Sequence, residues 1–325
     1  MLNKMILSVF MFVLSGYCLT AAAEEFPSKP ITLHMSFAET GSSSRVAQVY
    51  APKLEAYLGQ PVKLQYHPGG MGGNKGAEAA ASSPADGYHV LIGTVGNIAL
   101  LPHLTEAYKI DPVTDMVPVT QIASVPNLLA VCEDFPADTL DEFVAYAKAH
   151  PNMVSYSHIA HLSIHRVEFS ALAEAKAIQL KLNSDFHGSM PAINAIKAGE
   201  VDAVITTTPH WLPLLEAGQV KLLAVANSDR HPDFPELPTF AEAGVSAVPH
   251  GSWDGAFVPA GTPITVVEKL YEAFVAVAQD PEVIAGVKAQ GMYINISESP
   301  EAFGEFVAAE SARLKAATSG YNIYQ

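Results

Sequence analysis

The sequence predicts an α/β chain of two lobes, in which each lobe is a mostly parallel sheet flanked by helices. Short apolar runs typical of buried strands alternate along the chain with segments whose apolar residues recur at helical spacing. Such alternation is typical of parallel sheets that helices cover on both faces. About 300 residues follow an N-terminal leader, which is enough for two domains with cores of their own.

Residues 1–23 are predicted to be a secretory signal peptide. Lys4 precedes an apolar run over 5–19, and small residues follow it up to Ala23. An N-terminal membrane anchor is the alternative, but the run is shorter than the roughly 20 residues of a spanning helix. Cys18 lacks the small preceding residue of a lipoprotein signal. We therefore expect cleavage near Ala23 and a mature protein without a lipid anchor.

The formal net charge of −15 argues against nucleic acid and anionic membrane surfaces as partners. An anionic ligand remains compatible with this charge, because exposed charges are screened beyond about 8–10 Å and the donors lining a cleft decide what binds there. Cys132 is the one cysteine beyond the leader, so we expect no intramolecular disulfide. Its apolar surroundings, LLAVC, are typical of a buried inert thiol rather than a nucleophile.

The first predicted strand, 31–37, leads through a Gly/Ser turn into a helix over 43–58. Apolar residues recur along one face of this helix, and Gly59 supplies its end. A second strand over 62–66 runs into the glycine-rich loop PGGMGGNKG. The next helix begins at 77, and a buried strand follows over 89–93.

The middle of the chain repeats this pattern, beginning with a strand over 128–131. A helix over 139–150 starts near Asp138 and stops at Pro151, and the last helix begins with Ser299 as its N-cap. The remaining predicted strands are 154–157, 201–205 and 221–226, and the remaining helices are 164–175, 210–217, 266–278 and 300–317. We place the two crossings between lobes near Ser124 and Asn227. The predicted lobes are then 24–124 with 228–325, and 125–227.

Small and hydroxylated residues follow several predicted strands, in the loops 40–44, 93–97, 157–163, 188–189 and 206–208. In open α/β sheets ligands bind beyond the carboxyl ends of strands, where helix N-termini favour an anion by about 0.3–1 kcal/mol each. Charge-assisted hydrogen bonds add about 1.5–3 kcal/mol. Each loop taken alone fits an ordinary helix cap, but their number predicts a site for a small anion that needs no arginine clamp.

The chain resembles a known family over nearly its whole mature length. The densest match runs from HGSMPA through IKAGEVDAVITTTPHWLPLLEAGQVKLLAVANSDRHPDFPELPTFAEAGV to SWDGAFVPAGTP, and the earlier phrase LGQPVKLQYHPGGMGGNKGAEAAASSPADGYHVLIGTVGN also fits. These phrases are similar to those of the periplasmic solute receptors of tripartite tricarboxylate transporters, the Bug family.

This resemblance implies a type II periplasmic binding protein, a Venus flytrap that closes on a small carboxylate and delivers it to membrane transporter subunits. The ligand would be a mono-, di- or tricarboxylate, aromatic acids included, bound by a periplasmic monomer without metal, cofactor or nucleic acid. Together with the loop analysis, it gives these ligand-binding candidates: Thr40, Gly41, Ser42, Ser43, Ser44, Arg45, Thr94, Val95, Gly96, Asn97, Ser157, His158, Ala160, His161, His187, Gly188, Ser189, Thr207, Trp253 and Asp254.

The chain departs from the family pattern in the loops expected to grip the ligand. Ser44 stands where an Asp is common, and Gln48 where an Arg is typical. Arg166 replaces a common Leu, and His187 replaces a Lys. We therefore expect an unusual ligand or a different set of ligand contacts.

Several interpretations remain open. Arg45 and Arg166 either clamp a carboxylate or are solvated, and Trp253 and Asp254 either pack the hinge or meet the ligand. The spacing of His158, His161 and His165, with His187, is compatible with a zinc or copper site as well as with polar cleft residues.

Two other functional classes compete with a transport receptor. A hydrolase is disfavoured, because the sequence has no Gly-x-Ser-x-Gly elbow, dinucleotide fingerprint or paired catalytic carboxylates. A sensory role, in which the loaded protein docks on a signalling partner, is not separated from transport by the sequence.

Overall fold

A computed structural model of the chain describes residues 26–70, 72–157, 163–186, 189–245 and 251–319. In chain order the strands are β1 (Ile31–Met35), β2 (Val62–Tyr66), β3 (His89–Thr94), β4 (Met116–Val125), β5 (Asn127–Cys132), β6 (Ser155–Ser157), β7 (Lys181–Leu182), β8 (Ala203–Thr207), β9 (Val220–Val225) and β10 (Ser252–Pro259). The helices are α1 (Ser42–Leu58), α2 (Asn74–Ala81), α3 (Pro112–Asp115), α4 (Leu140–Ala149), α5 (Ile164–Lys176), α6 (Ser189–Lys197), α7 (Thr208–Glu216), α8 (Ile264–Ala278), α9 (Pro281–Ala289) and α10 (Pro300–Thr318).

The strands form two five-stranded sheets, with the orders β2-β1-β3-β10-β4 and β7-β6-β8-β5-β9. In the first sheet β1 is parallel to β2 and β3, whereas β10 is antiparallel to β3 and β4. In the second, β6 is parallel to β7 and β8, whereas β5 is antiparallel to β8 and β9. Both sheets are therefore mixed rather than mostly parallel, because each receives a strand that crosses from the other lobe.

Each sheet is covered by helices on both faces, as strand–helix alternation predicts. On one face of the first sheet α1 and α8 meet through Tyr50 and Phe274, whose ring centroids lie 5.9 Å apart. On the other face Trp253 and Phe257 pack against Phe303 of α10. The second sheet has its own two apolar clusters, of which Trp211 in α7 anchors one. Each sheet thus has apolar clusters of its own, and Ile164 and Val167 of α5 join the cluster around Trp253 and Phe303.

The chain crosses between the sheets at neighbouring points. β4 continues into β5 with one intervening residue, Pro126. The Asn127 amide donates to Oδ1 of Asn227 at 3.2 Å, and the Ser252 hydroxyl donates to Oδ1 of Asn127 at 3.2 Å. These bonds tie the two crossing segments, at Asn127 and at Ser252, to each other and to Asn227, which makes this region the hinge of the fold.

The second lobe extends beyond the predicted crossing at Asn227. Val225 in β9 forms a bridge with Thr239, and Phe240 and Val245 are buried in the core of the second sheet. The segment that follows β9 therefore packs against the second sheet as far as Val245, although the predicted boundary assigns it to the first lobe.

Within the described part of the chain, no helix combines the length and apolar character needed to cross a bilayer.

Candidate ligand-binding site

A cavity of about 360 Å³ lies between the two sheets, beside the hinge. Its lining includes parts of α1 and β3 from the first lobe, and of α5, β8 and α7 from the second. The lining residues are Phe37, Gly41, Ser42, Ser43, Gly72, Thr94, Val95, Gly96, Val125, Ser163, Ile164, His165, Thr206, Thr207, His210, Ser252, Trp253, Asp254 and Met292.

The N-terminus of α1 opens into this cavity without a side-chain cap. Gly41 is its N-cap residue and cannot accept through a side chain, and Arg45 is the first residue whose amide bonds back into the helix, to the Gly41 carbonyl at 3.0 Å. The amides of Ser42, Ser43 and Ser44 are therefore the donors that a helix leaves without intrahelical partners. Ser43 is buried in the lining. This end of α1 can donate to an anion.

Two helices of the second lobe face the cavity in the same way. Ser163 and Thr207 are the N-cap residues of α5 and α7, and neither side chain caps its helix. The Ser163 hydroxyl is buried and has no hydrogen-bond partner among the described residues. By contrast α4, α9 and α10, whose N-termini do not line the cavity, are capped by side chains of Thr139, Asp280 and Ser299. Uncapped N-termini are a ready-made site for an anion.

The end of β3 and the residues directly after it supply Thr94, Val95 and Gly96 to the lining, while Asn97 supports them from behind. The Thr94 amide donates to Oδ1 of Asn97 at 2.7 Å. The side-chain Nδ2 of Asn97 in turn donates to the Ser36 hydroxyl at 2.7 Å. Asn97 is fully buried by these contacts and therefore shapes the loop from behind.

At the start of β10, Trp253 and Asp254 reach the cavity from opposite faces of the sheet, because successive strand residues alternate. Trp253 lies edge-on to Phe303 and Phe306, with centroid distances of 5.9 and 5.6 Å. Its indole nitrogen is buried without a partner among the described residues. Asp254 is 5% exposed, and burial raises the pKa of its carboxyl to about 7.

His210 is the titratable group that α7 brings to the cavity. Its Nδ1 lies 3.1 Å from the Thr207 hydroxyl and 3.3 Å from that of Thr206. Burial lowers the pKa of His210, the hydrogen bond with Thr207 opposes this shift, and the positive charge of Arg45 adds to it. Arg45 of the first lobe thus acts on His210 of the second, although Arg45 itself is exposed and outside the lining.

The structure brings together nine of the named candidates in the lining: Gly41, Ser42, Ser43, Thr94, Val95, Gly96, Thr207, Trp253 and Asp254. Ser163 and Thr206, from the predicted loops 157–163 and 206–208, also line the cavity. Five other candidates do not line it: Thr40 and Arg45 are exposed, and Ser44, Asn97 and Ser157 are buried in the protein behind it. His158, Ala160, His161, His187 and Gly188 lie outside the described residues, and Ser189 is described only as the first residue of α6.

Sequence reasoning missed several lining residues, among them Phe37, Gly72, Ser252, Met292 and His210. His210 had a detectable signal, because it lies in the first turn of a helix that follows a hydroxyl-rich strand end. The apolar contributors Phe37 and Met292 had none, since they are brought to the cavity by packing alone.

The structure also bears on two interpretations that the sequence left open, a carboxylate clamp formed by an arginine and a metal site formed by histidines. Arg166 lies outside the lining, and one of its guanidinium nitrogens is buried without a partner among the described residues. Across the described ranges, no group of at least three His, Cys, Asp or Glu side chains is arranged to hold a metal ion. His165 lines the cavity, but the other histidines of the suggested metal set lie outside those ranges.

Comparison with known proteins identifies the family. The sequence profile of the tripartite tricarboxylate transporter family receptor matches residues 46–322. The chain belongs to this receptor family. Among its relatives, the protein BugT of Bordetella pertussis is 31% identical over 309 residues, which cover 92% of this chain and 91% of BugT.

Solved structures of similar proteins agree with this family assignment. An R. palustris protein solved with adipate is 30% identical, with a TM-score of 0.77 over 91% of this chain and 98% of its own. MatC of Rhodopseudomonas palustris, solved with bound malate, is 28% identical, with a TM-score of 0.74 over 90% and 99% of the two chains. The periplasmic binding protein BugD is 27% identical, with a TM-score of 0.74 over 90% and 98%. The predicted family and the two-lobed α/β binding-protein fold are confirmed.

Proposed function

We propose that this receptor captures a small organic carboxylate between its lobes in the periplasm and delivers it to the membrane subunits of a tripartite transporter. The observation that carries the proposal is the meeting of three uncapped helix N-termini, α1 from one lobe and α5 and α7 from the other, on one cavity. Adipate and malate, found with two of its structural relatives, are carboxylates of the size class expected for such a cavity.

The three helix ends provide the free energy of binding without a cationic side chain. Each N-terminus favours an anion by about 0.3–1 kcal/mol, and up to about 2 kcal/mol when partly buried. Charge-assisted hydrogen bonds from amides and hydroxyls add about 1.5–3 kcal/mol each. Together these terms support micromolar affinity, about −8 kcal/mol, after the costs of closure and desolvation.

Closure follows from the division of these donors between the lobes. A carboxylate held by α1 gains the donors of α5 and α7 when the lobes approach, so the ligand binds the closed form more tightly than the open form. The transporter would then recognise the closed outline. In this proposal the protein binds its ligand without turning it over, in keeping with a family of solute-binding receptors.

The test replaces two hydroxyls of the cavity, in the double variant Ser43→Ala/Thr94→Ala. We expect binding of the best carboxylate from a thermal-shift panel to weaken at least tenfold by calorimetry, because both side chains line the cavity. The matched control is Ser82→Ala/Thr114→Ala, which makes the same chemical changes at two exposed positions. Equal affinity in both double variants would refute the proposed placement of the ligand, and product formation from any bound carboxylate would refute a receptor without turnover.

A further inference from the structure

A buried carboxyl lies in a cavity that is otherwise built to attract an anion. Asp254 is 5% exposed, lines the cavity, and has an Oδ2 atom without a hydrogen-bond partner among the described residues. A buried polar group without a partner destabilises the protein, and a charged one does so more strongly. Such a group in a binding cavity points to a partner that the ligand supplies.

The position of Asp254 is set by the sheet and not by a mobile loop. β10 lies between β3 and β4, so Asp254 is paired with Thr94 on one side and with Ala123 on the other. The pairing with β4 shifts register directly after Asp254, and such irregularities often direct a side chain at the end of a strand. The backbone that carries this carboxyl is therefore fixed by strand pairing at the wall of the cavity.

No fixed positive charge on the described lining compensates this carboxyl. The described lining contains no lysine or arginine, and Thr94, which is paired with Asp254 in the sheet, is uncharged. The second lobe contributes two titratable side chains to the lining, His165 of α5 and His210 of α7. Arg45 of α1, in the first lobe, lies outside the lining but is close enough to lower the pKa of His210. Burial alone raises the pKa of Asp254 to about 7, so a modest stabilisation by a cation ionises it fully near neutral pH.

We propose that Asp254 is a specificity-determining residue that accepts a hydrogen bond from a protonated amine of the ligand, so that the cavity selects a carboxylate that also carries an ammonium group. This inference rests on the proposed function, in which the helix N-termini bind the carboxylate of the same ligand. The two ends of the zwitterion then have separate partners: amides and hydroxyls for the carboxylate, and Asp254 for the ammonium.

An ammonium group fits this position better than a hydroxyl does. A hydroxyl can donate one hydrogen bond to Asp254 but leaves its negative charge uncompensated in a buried site. An ammonium group donates up to three hydrogen bonds and brings the opposite charge, and charge-assisted bonds are about twice as strong as neutral ones. A simple dicarboxylate would instead place a second negative charge in the same cavity as Asp254.

The experiment measures affinity for matched probes that differ at one carbon. Succinate, malate and aspartate carry hydrogen, hydroxyl and ammonium there, and glutarate and glutamate form a longer pair. Calorimetry at pH 8 is expected to give at least tenfold tighter binding for the better amino acid than for its counterpart without the amine. In Asp254→Asn this ratio should fall to about one, because the amide keeps the shape of the carboxyl but loses its charge.

The pH dependence in the wild-type protein tests the same inference without a variant. Affinity for the amino acid should rise from pH 6 to pH 8, as Asp254 loses its proton. His165 and His210 remain in Asp254→Asn, so any pH dependence that persists in the variant belongs to them or to other groups.

Three outcomes would overturn the inference. One is a ratio near one in the wild type, and a second is a ratio that Asp254→Asn leaves unchanged. The third is tighter binding of the dicarboxylate as the pH falls to 6 in the wild type alone, which would make Asp254 a protonated donor to a carboxylate. In each of these cases, binding of the simple dicarboxylate would still support the proposed function as a carboxylate receptor. That function would be refuted only if no compound in a wider panel of carboxylates, with or without amines, bound to the protein.

Discussion

At the scale of single residues, a row of three histidines in the first sheet couples folding to pH. His34 in β1 is 4% exposed, and its two ring nitrogens each lie 3.1 Å from a nitrogen of another histidine, His67 on one side and His89 on the other. One proton in each contact satisfies this arrangement when the rings are neutral. Burial, followed by the charges of His67 and His89, lowers the pKa of His34 to about 4.

This shift predicts a loss of folding stability in acid. An unfolded histidine takes up a proton near its ordinary pKa of 6.5, while folded His34 does so only near 4. The stabilisation is therefore complete above pH 6.5 and is lost as the pH falls from 6.5 to 4. It amounts to about 3 kcal/mol for the whole shift.

Urea denaturation at several pH values measures this loss, and His34→Gln should remove most of it. Glutamine keeps a donor and an acceptor but does not titrate, so the variant is compared with the wild type at each pH. An equally steep loss between pH 6.5 and 4 in His34→Gln would show that the acid sensitivity arises elsewhere.

At the scale of helices, two N-cap residues with similar side chains are expected to have opposite roles. Thr139 accepts from the Glu142 amide at 3.2 Å, and the Glu142 carboxylate accepts from the Thr139 amide at 3.2 Å, which is a capping box. Ser163 holds the same position in α5 but makes no cap bond; it lines the cavity, and its hydroxyl is buried without a partner among the described residues.

We therefore predict that Thr139→Ala lowers the free energy of unfolding by about 1 kcal/mol and leaves ligand affinity unchanged. Ser163→Ala is expected to weaken carboxylate binding severalfold and to change the free energy of unfolding by less than about 0.5 kcal/mol. Chemical denaturation and calorimetry on both variants make each the control of the other. A stability loss in Ser163→Ala equal to that in Thr139→Ala would mean that Ser163 serves the helix and not the ligand.

The helices and strands also show how far the sequence predicts this fold. β2 agrees with prediction at both ends, because Val62–Tyr66 is bounded by Pro61 on one side and a glycine-rich loop on the other. β4 and β10 were not predicted: β4 contains Pro118, and β10 contains Asp254 and Gly255. Such residues are unfavourable in isolated strands, and pairing between distant segments overrides that local preference.

The candidate site was predictable to a similar degree. Hydroxyl-rich loops before helices led to Ser43, Thr94 and Thr207, which line the cavity, since local sequence determines where a helix begins. Local sequence does not determine which side of a loop faces inward, so Asn97 appeared as a ligand residue although it braces the loop. Nor could it reveal Met292, which reaches the cavity from a distant part of the chain.

At the scale of the whole molecule, the two crossing segments approach each other and the segment at Asn227 where they connect the two lobes. Gly251 precedes β10 at one of these crossings and has φ of +80°, which disfavours other residues. A Cβ atom there would lie 2.3 Å from Nδ2 of Asn227 and 2.9 Å from the Val125 carbonyl oxygen. Val125 belongs to the other crossing and Asn227 to the segment beside it, so the missing side chain of Gly251 allows the three segments to meet.

Gly251→Ala is therefore expected to destabilise the protein and to alter closure, with Gly244→Ala as its control. Gly244 has the same φ of +80°, but a Cβ atom there would meet nothing within 4 Å. Both variants carry a similar backbone cost of about 1–2 kcal/mol, and Gly251→Ala should lose about 1–3 kcal/mol more through crowding against Asn227 and Val125. Urea denaturation measures the difference in the free energy of unfolding between the two variants. Calorimetry should show weaker carboxylate binding in Gly251→Ala alone, because wider spacing at the hinge keeps the donors of the second lobe from the ligand. Equal stability and equal affinity in the two variants would show that the crossing segments tolerate the added methyl group and that the hinge does not depend on their close approach.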